Sequence, residues 1–321
     1  MDIVILLFLQ EFRNGAGTYL VSFMSKMSFL GEMNTVLAII ALIYWCISKD
    51  YGNYFLMGWS GNRVVNGLLK VTACAYRPWI RDARIVPDSD ALATATGYSF
   101  PSGHSMNAAS LFGGGVIRKE FSKTLRICCG IVFALIAFSR IFLGVHTPQD
   151  ILIGSCVGLL VMWLTLKLIA WVDKHPGKDL LVMCIGIAIA AAVAIFAALK
   201  SYPADYNEAG ELLVDGAKMA NDTYKGVGWC MGFFAGWVLE RRYIHFSTDV
   251  PMMRRITRLA VGLLSFYAVS LIIVPMIKEL IPNAGGTVLG CFIQMFFVVF
   301  VFPLCMKRLE KNEPYGDGSS M

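Results

Sequence analysis

Hydrophobic positions fall in long, nearly unbroken runs joined by short polar connections. Runs near 33–49, 51–75, 103–117, 126–143, 150–172, 180–200, 222–240, 257–280 and 283–307 are mostly close to the ~20 residues a helix needs to cross a bilayer. They predict an all-α, polytopic membrane helical bundle of about nine transmembrane helices, with the run at 103–117 shorter than the rest. Residues 3–24 are apolar but carry Glu11 and Arg13, with Gly15 and Gly17 behind them, and fit an interfacial helix better than a span. No basic n-region or small-residue cleavage site marks a signal peptide. The chain therefore divides into an N-terminal interfacial segment (1–32), a helical core (33–172), additional transmembrane helices (173–310) and a disordered tail (311–321). Gly154-x3-Gly158 and Gly228-x3-Gly232-x3-Gly236 are small-residue stripes that allow helices to pack closely.

With 57% hydrophobic and 16% charged residues, the composition excludes an ordinary soluble domain. The net charge of +6 is not a nucleic-acid signature, because it resolves into alternate basic loops. Arg118, Lys119, Lys123 and Arg126 form one cluster, Lys174 and Lys178 the next, Arg241, Arg242, Arg254, Arg255 and Arg258 a third, and Lys307, Arg308 and Lys311 the tail. The positive-inside rule makes these cytoplasmic. The acidic loop 201–222 and the loops 76–102 and 144–149 then face outward, with the N-terminus outside, the C-terminus inside and the plasma membrane as the expected location. Arg77, Arg81 and Arg84 break that charge rule, as they would to hold an anionic substrate. Arg81 and Arg84 could instead pair with Asp82, Asp88 and Asp90. The nine cysteines, with no CxxC and no histidine at ligand spacing, read as small buried apolar residues and not as disulfides or a metal site.

The outward loops carry the candidate chemistry. Lys70 and Arg77 are seven apart, two helical turns, which predicts one shared face at the end of the second span. A lysine inside a span is costly and suits an anion-holding cavity, with Asn66 orienting Lys70. Arg63, deeper on the same stripe, serves either that cavity or a structural pair. In Pro101-Ser102-Gly103-His104, Ser102 is a natural helix N-cap. The unpaired amides behind it favour an anion, Gly103 lets the backbone approach, and His104 sits in the first turn. Ser139-Arg140 precedes His146, Thr147-Pro148 suits a helix start, and Asp150 lies four residues past the histidine. Asp150 can accept from the His146 ring N–H, act as the partner of Thr147 in a capping box, or do both. The Arg140 fork suits two phosphoryl oxygens, and Ser139 is a weaker ligand. Fixed cations, two histidines and a carboxylate suit the binding of a phosphate-like oxyanion, with one imidazole attacking and the other protonating what leaves.

The blocks Lys70-x6-Arg77-Pro78, Pro101-Ser102-Gly103-His104 and Ser139-Arg140-x5-His146-x3-Asp150 resemble the signature of the type-2 phosphatidic acid phosphatase superfamily. That superfamily also contains vanadium haloperoxidases, bacterial acid phosphatases and glucose-6-phosphatase. The resemblance implies a helical core, His146 as nucleophile forming a phosphohistidine, His104 as general acid, and no metal or other cofactor. Lys70, Arg77, Ser102, Gly103 and Arg140 would be the phosphate pocket. The expected partners are the bilayer and a membrane lipid substrate carrying a phosphate or pyrophosphate. The nine-span layout is also similar to glucose-6-phosphatase, which keeps a soluble sugar phosphate open as substrate. A non-catalytic binding or transport protein on the same fold is a further alternative, although binding alone would not need the orienting carboxylate.

Overall fold

The computed structural model describes residues 2–311, with side chains through Glu310, so apart from Lys311 the expected tail lies outside the described residues. The regular structure of these residues is helical, save one isolated β-bridge between Tyr206 and Leu212. The main elements are α1 (Asp2–Gly15), α2 (Gly17–Phe29), α3 (Met33–Ile47), α4 (Lys49–Ala73), α5 (103–117) and α6 (Lys123–Phe142). Then follow α7 (Pro148–Lys174), α8 (Asp179–Leu199), α9 (216–244), α10 (Met252–Leu280) and α11 (Ala284–Glu310). Two short helices, Pro78–Arg81 and Ser89–Thr94, stand in the loop between α4 and α5. The helix starts are set by local chemistry. Ser48, Ser122, Thr147, Asp215 and Asn283 each accept a hydrogen bond from a first-turn amide, satisfying a donor that the helix cannot.

Five helices (α6, α7, α8, α10 and α11) are long and apolar enough to cross a membrane. The pair α2 and α3, bent by 59°, makes a sixth if it is one span. This measure does not reproduce the expected nine, because α4 and α9 carry polar residues turned into the protein and α5 is short. Those polar groups are satisfied internally, as hydrocarbon would require: Asn62 Nδ2 of α4, for example, donates to Ser110 Oγ of α5 at 2.8 Å. The stretch 3–24 is also not one helix, since Ala16 and Gly17, with Gly17 at φ +73°, break it into α1 and α2. Helix α1 lies against the end of α6 and the motif-bearing loop: Arg13 donates to Phe142 O at 3.2 Å and to Val86 O at 2.5 Å, and Asp2 pairs with Arg81 at 2.8 Å.

In lipid the hydrophobic effect does not hold helices together, so close packing must. Helix α9 shows how. A Cβ on Gly228 would stand 2.4 Å from Val288 O and one on Gly232 2.4 Å from Phe292 O, so only glycine lets α9 lie against α11. The opposite side of α9 meets α4, where a Cβ on Gly226 would come within 2.9 Å of Arg63 O and one on Gly67 within 3.0 Å of the Thr223 side chain. At the basic end of the bundle, ion pairs Lys49–Glu240, Arg241–Asp173, Arg242–Asp179 and Arg258–Glu310 tie helices together. At the other end the Tyr76 hydroxyl donates to Asp205 at 2.5 Å, joining the motif-bearing loop to the acidic one. All nine cysteines are free, but only Cys46, Cys230 and Cys291 are buried. Cys128, Cys156, Cys184 and Cys305 lie exposed on apolar helix faces, which corrects the expectation of general burial; a weakly polar thiol tolerates such a face.

Candidate active site

Helix α4 delivers Lys70 to the motif end and then stops. Cys74, at φ 47°, turns the chain out of the helix, and Pro78 keeps Arg77 in extended backbone (φ −65°, ψ 154°). Lys70 and Arg77 therefore do not share a helix face as the seven-residue spacing predicts. Arg77 instead reaches back from the loop, held by Gly97 O at 2.9 Å and Val145 O at 2.8 Å. The Lys70 ammonium is oriented by Tyr98 O at 2.6 Å and Ser99 O at 3.4 Å. Asn66 serves the loop rather than Lys70, donating to Pro101 O at 3.3 Å.

Ser102 caps α5 by accepting from Ser105 N at 3.3 Å, while its own amide donates to Asp150 O at 3.0 Å. That second bond fixes the mouth of α5 against the start of α7. The approach depends on Gly154, where a Cβ would lie 3.0 Å from Ser102 O, and on Gly158, which faces Ala109 and Met106. A stripe that reads as packing alone thus brings the two histidine-bearing segments together. Gly103 and His104 line one cavity of about 300 Å³ with Asn66, Lys70, Arg77 and His146. A groove of about 720 Å³ between α2 and the Ser89–Thr94 helix is larger but holds neither histidine.

His146 is fully enclosed, at 1% exposure. The backbone capping box forms as the sequence allows: Asp150 N donates to Thr147 Oγ1 at 3.3 Å, and Thr147 N to Asp150 Oδ2 at 2.9 Å. The same Oδ2 accepts from Ser99 Oγ at 2.5 Å and lies 3.3 Å from His146 Nδ1. Asp150 therefore caps the helix and orients the ring. Nδ1–H donating to Asp150, with Nε2 accepting from Arg77 Nη1 at 2.9 Å, satisfies both ring nitrogens and leaves the lone pair on Nε2. Burial, and then the Arg77 charge, hold the His146 imidazolium well below the ordinary histidine range against the pull of Asp150, which favours the neutral ring. Burial also brings the Arg77 guanidinium down to about 10, with Asp150 opposing, and it remains a cation there.

Two further groups hold unspent polar atoms. Arg140 is wholly buried and does not line this cavity; its Nη1 donates to Ser28 Oγ, but Nε and Nη2 have no protein partner. His104 Nε2 is likewise buried without one. Native proteins leave few such groups, and a bound oxyanion is the natural acceptor. Ser139 departs from expectation: it is buried, its hydroxyl donates back to Ile136 O at 2.7 Å, and it does not line the cavity. Arg81 pairs with Asp2 and Arg84 with Asp82 at 2.7 Å, so neither serves the site. The cavity also has a wall that the motifs do not announce, formed by Arg63 of α4 and by Asp222, Thr223 and Lys225 of α9. Only the intramembrane cation Arg63 signals it in the sequence. Among the described residues, no group of three or more His, Cys, Asp or Glu side chains is placed to hold a metal ion.

Residues 50–174 match the PAP2 superfamily, and residues 224–314 match the PAP2 superfamily phosphatase, transmembrane extension. Phosphatidylglycerophosphatase B of Bacillus subtilis (strain 168) is 32% identical over 155 residues, covering 44% of this chain and 71% of the relative. Lipid phosphate phosphatase delta of Arabidopsis thaliana is 26% identical over 177 residues, 51% of this chain and 41% of that protein. Phosphatidylglycerophosphatase B of Escherichia coli (strain K12) is 35% identical over 83 residues, 25% of this chain and 31% of that one. The chain thus spans less than half the length of the last two. The crystal structure of a transmembrane PAP2 type phosphatidylglycerolphosphate phosphatase from Bacillus subtilis is 26% identical and aligns over 55% of this chain and 86% of that one, with a TM-score of 0.43. Matched by two models of one superfamily and by a relative over most of that relative's length, the chain belongs to the PAP2 superfamily and is a multi-pass membrane phosphoric monoester hydrolase of the lipid-phosphatase type.

Proposed function

We propose that the protein hydrolyses a lipid phosphate or lipid diphosphate at the outer face of the plasma membrane, without a metal ion, through a phosphohistidine on His146. One observation carries this reading: the buried His146, with Nδ1 against Asp150 and Nε2 against Arg77, lines a cavity together with His104, Lys70 and Arg77. The incoming phosphoryl group takes over the Arg77 Nη1–H that Nε2 otherwise accepts. Lys70, Arg77, the unpartnered Nε and Nη2 of Arg140, the Ser102 hydroxyl and the amides of Gly103 and His104 receive its oxygens. Nε2 attacks phosphorus, the N–P bond forms as the P–O ester bond breaks, and His104 gives its proton to the leaving lipid oxygen. Asp150 keeps the Nδ1 proton and stabilises the charge that the ring acquires. His104 then takes a proton from water as that water attacks the phosphohistidine, releasing phosphate. Fixed cations and helix-end donors supply the charge stabilisation that a metal otherwise would.

The names of the relatives support a lipid as substrate, and the site's place at the ends of helices, near headgroup depth, suits an amphiphile. Purified protein is expected to release phosphate from phosphatidylglycerol phosphate, phosphatidic acid or polyprenyl diphosphate in excess EDTA. Activity confined to glucose 6-phosphate, or lost with EDTA and restored by magnesium or zinc, would refute the proposal.

The outward orientation rests on the basic loops standing at the end opposite the site. On a cysteine-free variant in intact cells, a membrane-impermeant thiol reagent is expected to label a cysteine introduced by Ser89→Cys and to spare one introduced by Ser122→Cys. The reverse pattern would invert the topology.

A further inference from the structure

The steps above leave one wall of the cavity unused. Arg63 stands two turns before Lys70 on α4, and its Nη1 would be 3.8 Å from a Cβ on Gly103, so its head points toward the mouth of α5. Its Nε is buried without a hydrogen-bond partner, and its guanidinium lies 5.9 Å from the Trp229 ring of α9. Lys225 comes to the same wall from α9, with its ammonium fixed by Asp222 at 2.6 Å. Neither residue is there by accident of a loose contact. The glycine contacts of Gly226 with Arg63 O and of Gly67 with Thr223 press α9 onto α4 at this level.

The unspent donors say what such a wall would take. With a phosphate monoester held by Lys70 and Arg77, Arg63 still faces the cavity with a buried Nε that no protein group accepts from, beside the part-exposed Lys225–Asp222 pair. A buried donor without an acceptor is costly unless a ligand meets it. Resting on the lipid-phosphatase reading, we propose that Arg63 and Lys225 form a second anion subsite, which selects lipids bearing another phosphorus anion beside the scissile phosphate. That anion is either joined directly, as in a diphosphate, or lies across a short polyol, as the phosphodiester of phosphatidylglycerol phosphate does. In this view α9 belongs to the specificity machinery of the enzyme.

The test compares kcat/KM for polyprenyl diphosphate, phosphatidylglycerol phosphate and phosphatidic acid, the last having no second anion, in wild type, Arg63→Gln and Lys225→Gln. A charge-assisted contact of this kind is worth roughly tenfold or more. The ratio of a two-anion substrate to phosphatidic acid is therefore expected to fall by about tenfold in each variant, with Arg63→Lys recovering part of it. A fall for the diphosphate alone assigns the adjacent anion, and a fall for phosphatidylglycerol phosphate alone assigns the distant one. Ratios that stay within about twofold of wild type, because all three substrates fall together or none does, overturn the subsite. If a variant is inactive on every lipid, calorimetric titration with inorganic diphosphate and inorganic phosphate decides instead. Wild type should prefer the diphosphate and the variant should lose that preference; a retained preference overturns the proposal. If wild type hydrolyses none of the three lipids, the proposed function fails, and the same titration still judges the subsite separately.

Discussion

His146→Ala is expected to stop phosphate release from every substrate, including those with leaving groups that need no help. Removing a nucleophile costs about 10⁴-fold or more in kcat, because no other group in the site is oriented to form the bond. The cavity is also lined by His104, by the carboxylates Glu32 and Asp222 and by cations, but His146 is the ring held in place by a buried carboxylate, Asp150. Rapid acid-free quenching of wild type should trap a phosphoenzyme that is acid-labile and alkali-stable, as an N–P bond is, and His146→Ala should yield none. A phosphoenzyme that persists in the variant would overturn the assignment. Asp150→Asn should fall between the two. The amide oxygen can still accept from Thr147 N, but the charge that balances the ring during attack is gone.

The second large effect separates His104 from His146. If His104 only protonates the departing oxygen, His104→Ala should cost about 10²–10⁴-fold with a lipid alkoxide and far less with p-nitrophenolate, which leaves without a proton. Its unpartnered Nε2 in the shared cavity is the basis for this expectation. Phosphoenzyme formation from p-nitrophenyl phosphate should survive in this variant while its breakdown slows, because the same imidazole activates the water. Equal loss with both leaving groups would show that His104 has another role.

The helices and their starts were legible in the chain because both are local. A run of apolar residues in a bilayer has to satisfy its backbone internally, and Ser122, Thr147 and Asp215 cap the helices they precede whatever lies beyond. The three blocks were legible for a related reason: lysine, arginine and histidine are too expensive near lipid to stand there without chemistry to do. Thr147-Pro148-x-Asp150 even carries both duties of Asp150, since the capping box and the bond to His146 fall within one helical turn.

Tertiary structure decided which polar groups face the cavity. In a helix that is apolar around most of its surface, periodicity does not mark the inner face, so Ser139 and Arg140 look alike as neighbours in sequence. Packing sends the Ser139 hydroxyl back to its own helix and leaves Arg140 with two donors unspent. Arg77 meets His146 through a left-handed residue and a proline-restricted turn, not through the two-turn spacing from Lys70. The wall formed by α9 is the least local feature of all. Asp222 and Lys225 lie more than 70 residues beyond His146, and they reach the site only because glycines at 67 and 226 let two helices touch. The sequence by itself determined the helices, their caps and the candidate residues, since each answers to its immediate neighbours. Which of those residues meet around one cavity depends on contacts between helices distant in the chain, and only the folded bundle specifies them.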